Sequence, residues 1–292
     1  MYKNSIKENS KYLIPFLQGV KYYGSDEIES CIGTMIILNE NGDILTCKHI
    51  AEQFIKDEQL KNNHSTLLSC LSQAKNKSDR KKIERENNLH KNTVVLSHIH
   101  FCFPFEIENI SNVDIVFHES LDLAIIRIPG LKSICDNYPT FSGILPEQGQ
   151  SICKIGYAFP EYDLFQYDNN TKQIVIKHEA FLNFPVFPLD GIVTRLIMEK
   201  ENTLSLFETS SPGLCGQSGG PIFSPDGLVY GMQSMTAHLD LNFDIDTFVK
   251  RGPDAKKVSA AQFINLGIGI TSKEIINFLE ENKINFNKMQ NI

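Results

Sequence analysis

The chain has 292 residues, 41% of them hydrophobic and 22% charged, a balance that supports one large or two small globular domains with a sizeable core. Its formal charge of −7 argues against a general nucleic-acid binder, which would carry a basic face. No segment approaches the roughly 20 apolar residues of a membrane span, and the N-terminal stretch MYKNSIKENSKYLIPFLQGV has no secretory apolar core, so a cytoplasmic location is expected, with neither membrane nor nucleic acid as partner.

In chain order, most of the sequence reads as short strands broken by turns. GTMIILNENGDILTC holds two apolar β-type runs around Asn41-Gly42, a strong hairpin signal. From Glu52 to His90 the pattern changes. HSTLLSCLSQAKNKSDRKKIEREN has helical spacing, and its charges between Lys75 and Arg85 read as a solvated helix face or a partner-docking surface. DLAIIRIP is a buried strand stopped at Pro129. SICKIGYAF, FQYDNNTKQIVIKH with a tip at Asn169-Asn170, GIVTRLIM, LSLFETS, LVYGMQSM and INLGIGIT are further strands. SKEIINFLEEN reads as a closing helix capped by Ser272, with Ile275, Ile276 and Leu279 on one apolar face. Such a density of short strands predicts an all-β barrel or sandwich.

Seven cysteines, Cys31, Cys47, Cys70, Cys102, Cys135, Cys153 and Cys215, lie scattered without a CxxC pair. That pattern fits reduced thiols and argues against a cysteine-ligated zinc site. No metal and no organic cofactor is expected.

The most informative stretch is GLCGQSGGPIF, Gly213 to Phe223. A serine hydroxyl is a weak nucleophile. It needs a base, a group that orients the base, and donors for an oxyanion. Ser218 is the candidate nucleophile, His49 in ILTCKHIAEQF the candidate base, and Asp122 at the head of DLAIIRI the candidate orienter. The amides of Gly216 and Ser218 are the candidate oxyanion donors, since glycine at 216 lets the backbone turn sharply. Singly, each has a structural reading: a satisfied histidine, a turn acid, a tight turn. Together they run His, Asp, Ser along the chain, the order found in chymotrypsin-type enzymes.

With those residues in hand, the chain resembles the trypsin/chymotrypsin-fold serine proteases, and its local motifs resemble the HtrA/Deg branch, without a PDZ domain. GTMIILNENGDILTCKHIAE resembles the histidine segment, DLAIIRI the aspartate segment, and GQSICKIGYAFP, DGIVTR, FETSSPGLCGQSGGPIFSPDGLVYGMQSM and LGIGITSKEIINFLEE the later strands, nucleophile loop and closing helix. The resemblance implies two six-stranded antiparallel β-barrels. The first would span 1–135, carry His49 and Asp122, and include a helical insertion at about 52–90. The second would span 136–271 and carry the Ser218 loop, followed by a helix and tail over 272–292. It further implies a serine endopeptidase acting on protein or peptide substrates, with Ser234 beside the buried aspartate. Ser234, Met235 and Thr236 would pair with an extended substrate as an added strand, and Pro212 would sit near the base of the specificity pocket.

Several residues depart from the family pattern. Gln217 stands where zymogen-type members carry an acid that pairs with a newly cut N-terminus. Cys31 resembles a cysteine that bridges to the residue after the histidine, which here is Ile50. With Pro212 in place of an acid, a small or apolar side chain is the expected preference. HLDLNFDIDTFVKRGPDAKKVSAA is longer than the branch leads one to expect, and reads as a solvated loop or a flap. Its acids Asp240, Asp244 and Asp246 could select a basic substrate or bind Ca²⁺, although they match no calcium-loop pattern. Cys215 reads as a pocket-lining residue or a redox switch. Two rivals remain: a protease-fold protein that only binds, and an α/β-hydrolase esterase reading Gly216–Gly220 as G-x-S-x-G. The hydrolase needs a helix after the serine, and GGPIFSPDG starts none. The insertion between base and orienter is a candidate docking surface for a regulatory protein.

Overall fold

The apolar run Thr34–Leu38 and the short run Ile44–Thr46 fold back on each other about Asn41-Gly42, as their turn residues predict, with Gly42 at φ +77°. The computed structural model describes residues 1–101, 113–128, 135–158, 164–177, 184–198, 205–251 and 254–289. The stop expected at Pro129 and the thiol of Cys102 lie outside them. After α1 (Lys3–Asn9), β1 (Leu13–Tyr22) pairs antiparallel with β2 (Ile28–Ile37), and β2 with β3 (Ile44–Thr46). Helices α2 (Lys48–Gln73) and α3 (Lys77–Glu86) follow. Strands β4 (Val94–Phe101), β5 (Asp114–Phe117) and β6 (Ala124–Arg127) complete a six-stranded antiparallel sheet in the order β4-β1-β2-β3-β6-β5. Among the described residues its outer strands β4 and β5 do not pair with each other.

The second sheet is built from β7 (Thr140–Phe141), β8 (Ser151–Gly156), β11 (Phe187–Ile197), β12 (Leu206–Thr209), β13 (Pro221–Phe223), β14 (Val229–Arg251), β15 (Asp254–Thr271) and β16 (Asn287–Lys288). Its order is β13-β8-β11-β12-β15-β14-β7-β16, and β13 also pairs with β14. That extra pairing closes β13, β8, β11, β12, β15 and β14 into the six-stranded antiparallel barrel that was expected. A separate hairpin joins β9 (Phe165–Asp168) to β10 (Gln173–Ile176) about the predicted Asn169-Asn170 tip. One apolar core runs between the two sheets. Phe16, Ile36 and Ile126 come from the first, and Phe223, Val229 and Ile270 from the second. Each such fully buried side chain is worth about 1.5–3 kcal/mol.

Three local expectations are corrected. The insertion is helical, but it is no separate excursion: α2 begins at Lys48 and runs unbroken for 26 residues, so His49 lies in its first turn. The helix packs on β4 through Ser97, whose hydroxyl donates to Asp57 at 2.6 Å, and through His64, whose Nδ1 meets the Val95 carbonyl at 3.0 Å. The closing helix α4 (Ser272–Glu281) is capped by Thr271, not Ser272; Thr271 Oγ1 accepts from the Glu274 amide, while Ser272 Oγ donates to the Ser142 carbonyl. Ile275, Ile276 and Leu279 are buried as their spacing requires. Finally, the described residues of the stretch 238–261, which are 238–251 and 254–261, are neither loop nor flap but the outer arm of the β14–β15 ribbon, with Asp244 opposite Ala261 and Thr247 opposite Val258. Alternating β-branched and aromatic residues (Ile245, Thr247, Phe248, Val249) carry that strand. Two of its acids are already engaged: Asp246 pairs with Lys257 at 2.8 Å, and Asp240 accepts from the Asn242 amide.

Candidate active site

His49 is placed by the start of α2, directly after the buried strand β3. Asp122 is placed by the turn entering β6, which pairs with β3. The strand pairing therefore delivers base and acid side by side. His49 Nδ1 lies 2.9 Å from Asp122 Oδ2, and the His49 amide donates to Asp122 Oδ1 at 3.0 Å. Ser234 Oγ donates to Asp122 Oδ2 at 2.6 Å. Burial opposes ionisation of Asp122 and is the largest single influence on it. The hydrogen bonds from the His49 ring, the Ser234 hydroxyl and the His49 amide together outweigh it and hold the carboxyl below the usual carboxylate range.

A β-bulge positions Ser234. Gln233 opposes Gly269 and Met235 opposes Ile268, so Ser234 is the extra residue. Freed from the ladder, its side chain meets Asp122 and its carbonyl accepts from Ser218 Oγ at 3.1 Å. Three hydrogen bonds thus link His49, Asp122, Ser234 and Ser218 in one line. The Ser218 hydroxyl is bonded to the Ser234 carbonyl, not to the His49 ring.

The nucleophile loop is held from both sheets. Its Gly219 amide donates to the Gln233 carbonyl and the Gln233 amide to the Gly220 carbonyl, both at 2.8 Å. From β2, the Thr34 amide donates to the Ser218 carbonyl at 2.9 Å, and Thr34 Oγ1 donates to the Gly216 carbonyl at 2.7 Å while accepting from the Tyr157 amide. Gly216 has φ +92°, and a Cβ there would stand 2.0 Å from the Tyr157 carbonyl oxygen. The amides of Gly216 and Ser218 donate to no described residue, as donors reserved for an oxyanion would.

This fold and this loop match a family model, the trypsin-like peptidase domain, over residues 33–232. The chain belongs to that family. No curated protein gives a significant match. In this trypsin-like peptidase domain Gln217 is buried, donating to the Phe187 carbonyl and accepting from the Leu214 amide, so its position is filled by an internally satisfied amide. Pro212 is half-buried and Met235 exposed, and Thr236 Oγ1 donates to the Gly213 carbonyl at 2.7 Å. Cys215 is exposed, and Cys31 is a free thiol.

Among the described residues one grouping could offer a metal three ligands, Cys47, His49 and Asp122. Burial, then the Asp122 charge, push the Cys47 thiol far up, so it stays protonated. The carboxylate is already shared between His49 and Ser234. This donor set is committed to hydrogen bonds.

Sequence reading missed two residues. Thr34 lies inside a plain apolar strand, and nothing in its neighbourhood announces a clamp. Lys154 did carry a signal: it is the one charge in SICKIGYAF, a strand buried on both faces. Thr34→Val keeps the volume but strands the Gly216 carbonyl and the Tyr157 amide. It is expected to cost about 2–4 kcal/mol, read as a fall in denaturant midpoint. A cost below about 0.5 kcal/mol would show that Thr34 does not clamp the loop.

Proposed function

We infer that the protein is a serine endopeptidase. His49 takes the Ser218 proton as Oγ attacks a peptide carbonyl, and returns it to the leaving amine. Asp122 holds the ring through Nδ1 and stabilises the imidazolium that forms. The amides of Gly216 and Ser218 receive the oxyanion. Water activated by His49 then hydrolyses the acyl-enzyme. Ser234 to Thr236 pair with an extended segment of a protein or peptide substrate. The observation that carries this reading is the hydrogen-bonded line from His49 through Asp122 and Ser234 to Ser218. The proposed setting is cytoplasmic, with control by a protein partner on the insertion. Because α2 carries His49 in its first turn, a partner that shifts α2 or α3 would act on the base itself.

The bond from Ser218 Oγ to the Ser234 carbonyl favours a resting geometry, which a χ1 rotation of Ser218 must leave before attack. A fluorophosphonate probe tests the assignment. The wild-type chain is expected to become labelled, and Ser218→Ala and His49→Ala to lose at least about 10³-fold of the labelling rate. Labelling that survives Ser218→Ala would remove Ser218 as nucleophile. No labelling of the wild type, even with the insertion's partner supplied from extract, would favour a protease fold that only binds.

A further inference from the structure

Lys154 is fully buried in β8, inside the closed barrel. Its Nζ donates to Thr209 Oγ1 at 3.0 Å, the Ser211 carbonyl at 2.8 Å and Gln233 Oε1 at 3.1 Å. All three ammonium protons are satisfied, but by neutral oxygens; no described carboxylate lies within ion-pair distance of it. A buried cation without an anion is costly, and burial pulls its pKa down to about 7.

The position of this cation gives the cost a purpose. Two of its three acceptors belong to the stretches that flank the nucleophile. Ser211 precedes Pro212 on one side. On the other, Gln233 precedes Ser234, whose carbonyl holds Ser218 Oγ. Glycine backbone packs directly against these groups. A Cβ on Gly267 would stand 2.2 Å from Lys154 Nζ, and one on Gly213 would stand 2.4 Å from Gln233 Nε2 and 2.7 Å from Thr236 Oγ1. The Gln233 amide lies between the ammonium and the substrate strand, its Oε1 on Lys154 and its Nε2 donating to the Met235 carbonyl at 2.7 Å.

We propose that Lys154 and Gln233 form the floor of the site for the substrate residue whose carbonyl is attacked, and that they select an acidic side chain, glutamate or aspartate. The inference rests on the serine-peptidase reading above and supplies its substrate class. The carboxylate takes the place of the Gln233 oxygen on Lys154, giving the buried ammonium the counter-ion it lacks in the free protein, while Gln233 Nε2, which spends only one of its two protons on the Met235 carbonyl, is the neutral donor beside it. This replaces the small or apolar preference expected from Pro212 alone.

The test uses the full chain and fluorescent peptides identical except for Glu, Gln, Leu or Arg at the central residue. Anisotropy on Ser218→Ala protein measures binding, cleavage by the wild type measures kcat/KM, and fluorophosphonate labelling of the wild type is read in parallel. Glu is expected to exceed its isostere Gln by roughly 10- to 100-fold, in binding and in cleavage where cleavage occurs. Lys154→Met is expected to erase that ratio. If Lys154→Met does not fold, the wild-type ratio of Glu to Gln decides alone. A ratio near one overturns the inference whether or not the probe labels Ser218. A clear Glu preference in binding, without labelling even when extract is supplied, would uphold the acidic site and refute the nucleophile assignment.

Discussion

Asp122→Asn is expected to lower kcat/KM for peptide cleavage by a factor on the order of 10⁴. The change is nearly isosteric, but its single oxygen can replace only one of the two carboxylate oxygens that accept from the His49 amide and from Ser234 Oγ. It also loses the charge. An asparagine presents an oxygen or an NH₂ to His49 Nδ1 but cannot stabilise an imidazolium, and with the NH₂ inward it holds the ring in the wrong tautomer. The carboxyl of Asp122 lies below the usual range because its three hydrogen bonds overcome burial. It is therefore ionised wherever the ring cycles between neutral and charged. By linkage, a depressed carboxyl stabilises the fold at neutral pH, and that stabilisation is lost as pH falls through its folded pKa. The wild type is thus expected to lose stability in acid more steeply than Asp122→Asn. The measurement is kcat/KM for both proteins on one peptide, with their acid unfolding midpoints. A rate loss under about tenfold, far short of what loss of a triad aspartate gives, would mean that Asp122 does not orient the base.

Much of the site was legible because its chemistry depends on residue type. A nucleophile loop needs glycines, a base needs histidine, and an orienting acid at a strand head is conspicuous where its neighbours are apolar. Strands with an asparagine-glycine turn or an alternating pattern were equally readable. The first strand was not: LIPFLQGVKY contains Pro15 and Gly19, both poor strand residues, yet it pairs with β2 from Leu13 to Lys21. Tertiary pairing overrode local preference. The long arm of β14 and β15 was hidden for a related reason. Its aspartates and lysines suggest a solvated loop, and only the cross-strand register from Ala237 to Arg251 makes it a ribbon. Lys154 shows the converse. The strand was read correctly and its one anomalous residue was passed over, although a lone charge in a two-sided buried strand is where a sequence departs from the needs of folding. The bulge at Ser234 could not be read at all, since it depends on the register of two strands.

Gly219→Ala is expected to be a severely damaging one-methyl change in the nucleophile loop. Gly219 has φ +86°, and an added Cβ would stand 2.0 Å from the Thr34 carbonyl oxygen and 2.7 Å from Thr46 Oγ1. The first obstacle is backbone in the centre of β2, itself held by the hydroxyl of Thr46 at 2.9 Å, so it cannot swing aside as a flexible side chain would. Relief requires the loop to move. That breaks the Gly219 amide's bond to the Gln233 carbonyl and the Thr34 amide's bond to the Ser218 carbonyl, and carries Ser218 away from His49. Conformational strain and contact together are worth about 3 kcal/mol or more, a fall in Tm of roughly 6–12 °C, with loss of probe labelling. Gly149→Ala separates the two contributions: φ there is +84°, and nothing lies within 4 Å of the added Cβ. It should cost only about 1–2 kcal/mol of backbone strain and keep its labelling. If the two variants melt together and label alike, the clamp between β2 and the nucleophile loop is not what holds Ser218 in place.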